Sequence, residues 1–100
     1  MEVKVIMTWN IKPGKEQEYF NFIVGEFLPK VNKMGLDLTD AWVTVFGNQP
    51  QILVGAMLPE LATARELMTS QAWKNLQAQL EDFVDHFTFK FAAPKGNFQF

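Results

Sequence analysis

The sequence predicts an α+β domain with the element order strand, helix, strand, strand, helix, strand. Three observations carry this. Apolar residues alternate at a period of two near both ends of the chain, and they recur at three- and four-residue steps in two other stretches. Between those stretches lie two β-rich runs joined by turn residues. A chain of 100 residues has room for one domain, 1–100, because single domains commonly run to roughly 100–150 residues.

Residues 2–11 read as the first strand, with Val3, Val5, Met7 and Trp9 on one side and Lys4, Ile6, Thr8 and Asn10 on the other. "KPGK" ends it, since Pro13 cannot donate to a sheet and Gly14 permits a turn. From Lys15 the period becomes helical: Tyr19, Phe20, Ile23, Phe27, Leu28, Val31 and Met34 form a stripe, and Gly35 suits a C-terminal stop. Pro29 interrupts that helix. An interior proline loses a hydrogen bond and clashes with the preceding turn at about 3 kcal/mol, so a kink or a break is expected near 27–29.

"TDAWVTVFG" (39–47) and "QILVGAML" (51–58) are β-branched, aromatic and apolar, and "GNQP" between them has hairpin turn chemistry. After Pro59 a second helical stripe runs through Leu67, Met68, Trp73, Leu76, Leu80, Phe83 and Val84, with "MTSQ" as a break and Ser70 as an N-cap for its later part. "DHFTFKF" (85–91) is the last strand, setting Phe87, Phe89 and Phe91 against His86, Thr88 and Lys90. The tail "AAPKGNFQF" keeps Phe98 and Phe100, which are expected to pack on the domain or on a second subunit. Right-handed crossovers then place both helices on one face of a four-stranded antiparallel sheet, the ferredoxin-like βαββαβ arrangement.

Composition narrows the function. With no cysteine, the chain has no disulfide framework, thiolate metal site or thiol nucleophile, and a single histidine argues against an all-protein zinc site. The start is broken by charge and proline too early for a signal peptide or a membrane span, so a cytoplasmic protein is expected. A net charge of −2, with basic residues clustering only at Lys30 and Lys33, argues against nucleic acid or an anionic membrane as partner.

A sheet with helices on one side should be polar on the other. Here Trp42, Thr44 and Phe46 oppose Ala41, Val43 and Val45, and Leu53 and Met57 oppose Ile52, Val54, Ala56 and Leu58, so neither face reads as wet. So much apolar surface suits a face covered by a twofold-related copy, with a pocket between the two sheets.

The candidate site residues follow from that. Thr8 and Asn10 on the first strand and His86, Thr88 and Lys90 on the last form a polar row on neighbouring strands; an edge row facing solvent explains it equally well. Trp42 and Thr44 share a mixed row that suits a ligand-lined interior, whereas Trp73 falls in the helical stripe and reads as core. His86 is a candidate general base or donor, imidazole being the side chain suited to proton transfer near neutrality; its plain structural reading is a helix-end residue donating to free carbonyls. Asp85 is adjacent on the strand and points the opposite way. Tyr19 reads as amphipathic packing. No phosphate loop, nucleophile elbow or carboxylate cluster at metal spacing is present.

"IKPGKEQEY", "AWVTVFG" and "SQAWKNLQAQL" together resemble the dimeric α+β barrel superfamily, nearest to NIPSNAP-like and antibiotic-biosynthesis-monooxygenase-like domains, over nearly the whole chain. The resemblance implies a homodimer whose sheets face each other as a barrel, often with a small-molecule pocket in each subunit. It implies no single reaction. The Asn, Trp and His of haem-degrading relatives fall at Trp9, near Leu67 and near Gln77, so haem degradation is not expected even though Asn10, Trp73 and His86 make a similar trio. No cofactor is expected.

Three functions stay open at this point. The first is a homodimer binding a small apolar or aromatic ligand at Thr8, Asn10, Trp42, Thr44, His86 and Thr88. The second is a cofactor-free oxygenase acting on an aromatic or polyketide-like substrate, with His86 and Asn10 as catalytic groups. The third is a purely structural or assembly domain.

Overall fold

The computed structural model describes residues 2–46 and 49–92, and the side chains of 2–44 and 51–92. Part of the expected hairpin turn, at 47–48, and the tail with Phe98 and Phe100 lie outside the described residues. β1 (Val3–Ile11) alternates buried and half-buried residues along its whole length, as its period-two pattern dictates. Gly14, at φ 82°, then turns the chain into α1 (Glu16–Phe22).

The expected break at Pro29 takes another form. α1 runs into a π-helical segment, Ile23–Phe27, and then into α2 (Leu28–Lys33), with helical backbone angles at each junction. The Leu28 amide donates to the Ile23 carbonyl five residues back, in place of the usual four. Pro29 therefore stands in the first turn of a new α segment, where its missing N–H costs least. Gly35, at φ 95°, ends α2 as expected: the Gly35 amide donates to Asn32 at 3.1 Å and the Leu36 amide to Val31 at 3.0 Å, a Schellman cap with Leu36 buried behind it.

β2 (Asp37–Phe46) and β3 (Gln49–Leu58) pair antiparallel, with Phe46 opposite Gln49. α3 (Leu61–Met68) and α4 (Gln71–Leu80) follow, divided at Thr69 and Ser70. Ser70 caps α4 by accepting from the Trp73 amide at 3.2 Å. α4 stops at Leu80, so Phe83 and Val84 are not helical; Val84 instead opens β4 (Val84–Ala92). The strand order is β2-β3-β1-β4, every pairing antiparallel, which is the ferredoxin-like α+β arrangement.

One continuous core joins the helices to a single face of the sheet. Trp9 of β1 meets Phe27 edge-on at 5.9 Å, Phe27 meets Trp73 of α4 at 6.3 Å, and Trp73 is fully buried. Each such side chain contributes roughly 1.5–3 kcal/mol by leaving water. No helix among the described residues is long and apolar enough to cross a membrane.

β4 carries a bulge. Thr88 pairs with Thr8 and Asp85 with Asn10, so His86 and Phe87 together stand opposite Trp9. His86 absorbs the extra residue at φ 58°, the left-handed conformation that glycine adopts in this kind of bulge. Val84 and Phe87 both stay on the helix side as a result, and Phe87 stacks on Trp9 at 5.9 Å with planes 13° apart. The helix-end reading of His86 is thereby overturned: it lies inside a strand, six residues beyond the end of α4.

Candidate functional site

An apolar recess lies on the helix side of the sheet. It is a groove of about 390 Å³ between the first helix and the β2–β3 pair. Trp9, Tyr19 and Phe27 are buried in its floor, and Ile52 and Val54 of β3 close its inner wall. Phe20, Leu28 and Val43 line its rim and are exposed, Val43 by 63%.

The local sequence explains why the groove is there. The π-segment spaces two buried residues, Phe22 and Phe27, five apart, and Phe20 and Leu28 on either side of it are left at the surface. β2 is an edge strand, so Ala41 and Val43 on its helix side have the first helix as neighbour only at a distance. Apolar side chains thus surround a space that the helix does not fill.

One polar pair sits in the floor. The Trp9 indole Nε1–H donates to the Tyr19 hydroxyl at 3.0 Å, ten residues away in sequence. Burial pushes the Tyr19 phenol above its ordinary value of 10.0, and the bond from Trp9 offsets part of that rise, so the hydroxyl stays protonated at neutral pH.

The opposite face of the sheet holds most of the residues singled out in the sequence. Thr8 and Thr88 share a hydrogen bond of 2.6 Å, and Asn10, Thr88 and Lys90 lie on the same face, as their pairing with β1 requires. His86 does not extend this row: the bulge gives its place beside Asn10 to Asp85, and His86 is exposed on the edge strand. Trp42 and Thr44 are also on this face, opposite Leu53 and Gln51, and Trp42 is 66% exposed. Lys4 reaches across Gly55 to form an ion pair with Asp40. A Cβ on Gly55 would come within 2.7 Å of Lys4 Cε, so a side chain there would push the ion pair aside.

A smaller recess of about 340 Å³ on this face is lined by Lys4, Ile6, Thr8, Asp40, Trp42, Leu53 and Lys90. It contains only Thr8 and Trp42 of the six predicted ligand residues. Asn10 is on the open face while Trp73 is in the core beneath the other, so the haem-degrading type of trio does not assemble. Among the described residues, no three of His, Asp or Glu gather to hold a metal ion. Sequence reasoning missed Tyr19, Phe20, Leu28 and Val43 as pocket residues. The available signal was the helical stripe itself, which is too wide around Phe20 and Leu28 for one buried face.

With this geometry in hand, the class is a four-stranded ferredoxin-like α+β domain, and comparison with solved structures narrows it. The chain is similar to a NIPSNAP family protein from Agrobacterium tumefaciens, with 18% identity, a TM-score of 0.74, and coverage of 95% of this chain and 94% of that one. It is also similar to an uncharacterized NIPSNAP domain protein from Burkholderia xenovorans, with 18% identity, a TM-score of 0.67 and 94% of each chain covered. A further NIPSNAP family protein of A. tumefaciens, described as of unknown function, matches at 16% identity and a TM-score of 0.68 over 93% of this chain and 87% of that one. The fold is therefore NIPSNAP-like, as the resemblance in the sequence implied. No family model matches the sequence, and neither does any curated protein.

Proposed function

We propose that the chain works as a homodimer and that each subunit holds a small, largely apolar or aromatic molecule in the groove between its first helix and β2–β3. The observation that carries the ligand reading is the groove itself: about 390 Å³, within the range of small-molecule sites, walled by aromatic and aliphatic side chains and open to solvent past Phe20, Leu28 and Val43. The dimer reading is supported by the open face, where Ile6, Trp42, Leu53 and Met57 present apolar surface without a helix over it.

Titration of the isotopically labelled chain with indane, followed by NMR, tests the ligand reading. Saturable shifts confined to Phe20, Leu28, Val43 and their neighbours are expected. Shifts centred on Trp42 and Thr44 would move the site to the open face, and no saturable shift would sink the ligand reading. Light scattering across a micromolar concentration series tests the dimer; a monomer throughout would refute it.

A further inference from the structure

We infer that Tyr19 sets the chemical class of the ligand: the groove selects an apolar ring compound that carries a hydrogen-bond acceptor, such as a ketone or ether oxygen, for the Tyr19 O–H. The inference rests on the groove reading above and names what that groove would discriminate.

Indole nitrogen is a donor only, so in the Trp9–Tyr19 bond the phenol oxygen must accept. That leaves the Tyr19 O–H hydrogen, and no acceptor for it exists among the described residues. Tyr19 is only 3% exposed, so bulk water does not readily satisfy it, and an unmet buried donor costs roughly 1–3 kcal/mol. The raised pKa keeps the proton on the oxygen, so the group remains a donor at neutral pH.

The other polar side chains lining the groove are already engaged. Trp9 has spent its single donor on Tyr19. Thr39 Oγ1 lies 3.3 Å from the Gly55 carbonyl and donates to it, and the Asp40 carboxylate is paired with Lys4. Among the described lining residues, the Tyr19 hydroxyl is thus the one side-chain donor left to orient a guest.

The test compares indane with 1-indanone, which share a ring skeleton and differ by a carbonyl, on the wild-type chain and on Tyr19→Phe. The expected result is that wild type binds 1-indanone roughly three- to tenfold more tightly than indane. Tyr19→Phe should lose that preference and bind the two compounds equally, whatever its affinity for indane becomes. Equal affinities in wild type, or a preference that survives Tyr19→Phe, overturns the inference and leaves the groove reading standing. If neither compound binds wild type, the groove reading fails and takes the inference with it. The infrared carbonyl band of 1-indanone bound to wild type needs no variant. It should lie below its position in hydrocarbon solvent, and an unshifted band overturns the inference even if Tyr19→Phe fails to fold.

Discussion

On the helix side of the sheet, β1 presents Val3, Val5, Met7, Trp9 and Ile11, all buried; on the other side the same strand presents Lys4, Ile6, Thr8 and Asn10, all half-buried. The polar groups of the two faces differ as much as the apolar ones. Under the helices, a single Trp–Tyr pair sits in an otherwise hydrocarbon floor. On the open face, polar groups are joined sideways, Thr8 to Thr88 and Lys4 to Asp40, between patches of Ile6, Trp42 and Leu53. Lateral pairing matters because a covering surface then need not supply partners for those groups, so the face tolerates both water and burial. The covered face holds the fold together, and the open face is free to take part in association.

The largest effect should separate the two faces directly. Trp73→Ala, in the core, is expected to cost about 3–5 kcal/mol in urea denaturation. Trp42→Ala should cost less than about 0.5 kcal/mol in dilute solution and show its effect only as protein concentration rises. Equal losses at every concentration would abolish the distinction.

A smaller effect probes the polar pair in the floor. Because burial raises the folded-state pKa of Tyr19, the neutral phenol's contribution is fully present below pH 10.0 and is lost as pH climbs through the higher folded value. Wild type should therefore lose stability above about pH 10 relative to Tyr19→Phe. Tyr19 is the sole tyrosine, so phenolate absorbance reports its titration without assignment. Ionisation at or below 10.0 would contradict its burial.

The smallest effect concerns the seam between the faces at the β4 bulge. His86→Ala should destabilise by about 1 kcal/mol relative to His86→Gly, because alanine meets the left-handed strain that glycine avoids. Equal stabilities, by thermal unfolding, would show that the bulge relaxes freely.

Much of this architecture was legible because it rests on local signals. Alternation on β1, the Gly35 cap and the Ser70 cap are each set within a few residues, and the topology follows from element order. Two features were not legible because they rest on one extra residue. "DHFTFKF" alternates cleanly, and only pairing with β1 shows that His86 is skipped and Asp85 takes its row. The stripe from Tyr19 to Met34 fits helical spacing, yet hides a π-turn that lets Phe22 and Phe27 both face inward. The helix-side groove was not read from the sequence in part for the same reason. A groove depends on how far an edge strand stands from a helix, and no residue spacing encodes that distance.

The π-turn also bears on how the chain tolerates changes in length. Removing one residue anywhere else in a helix rotates all that follows by about 100° and carries buried side chains to the surface. Ile23–Phe27 already holds one residue more than an α-helix would, so excising Gly25 would leave Phe22 and Phe27 four apart and still in phase. This helix can lose a codon there without losing its register, though Pro29 would then lie in the interior of an uninterrupted helix, without the wider turn before it.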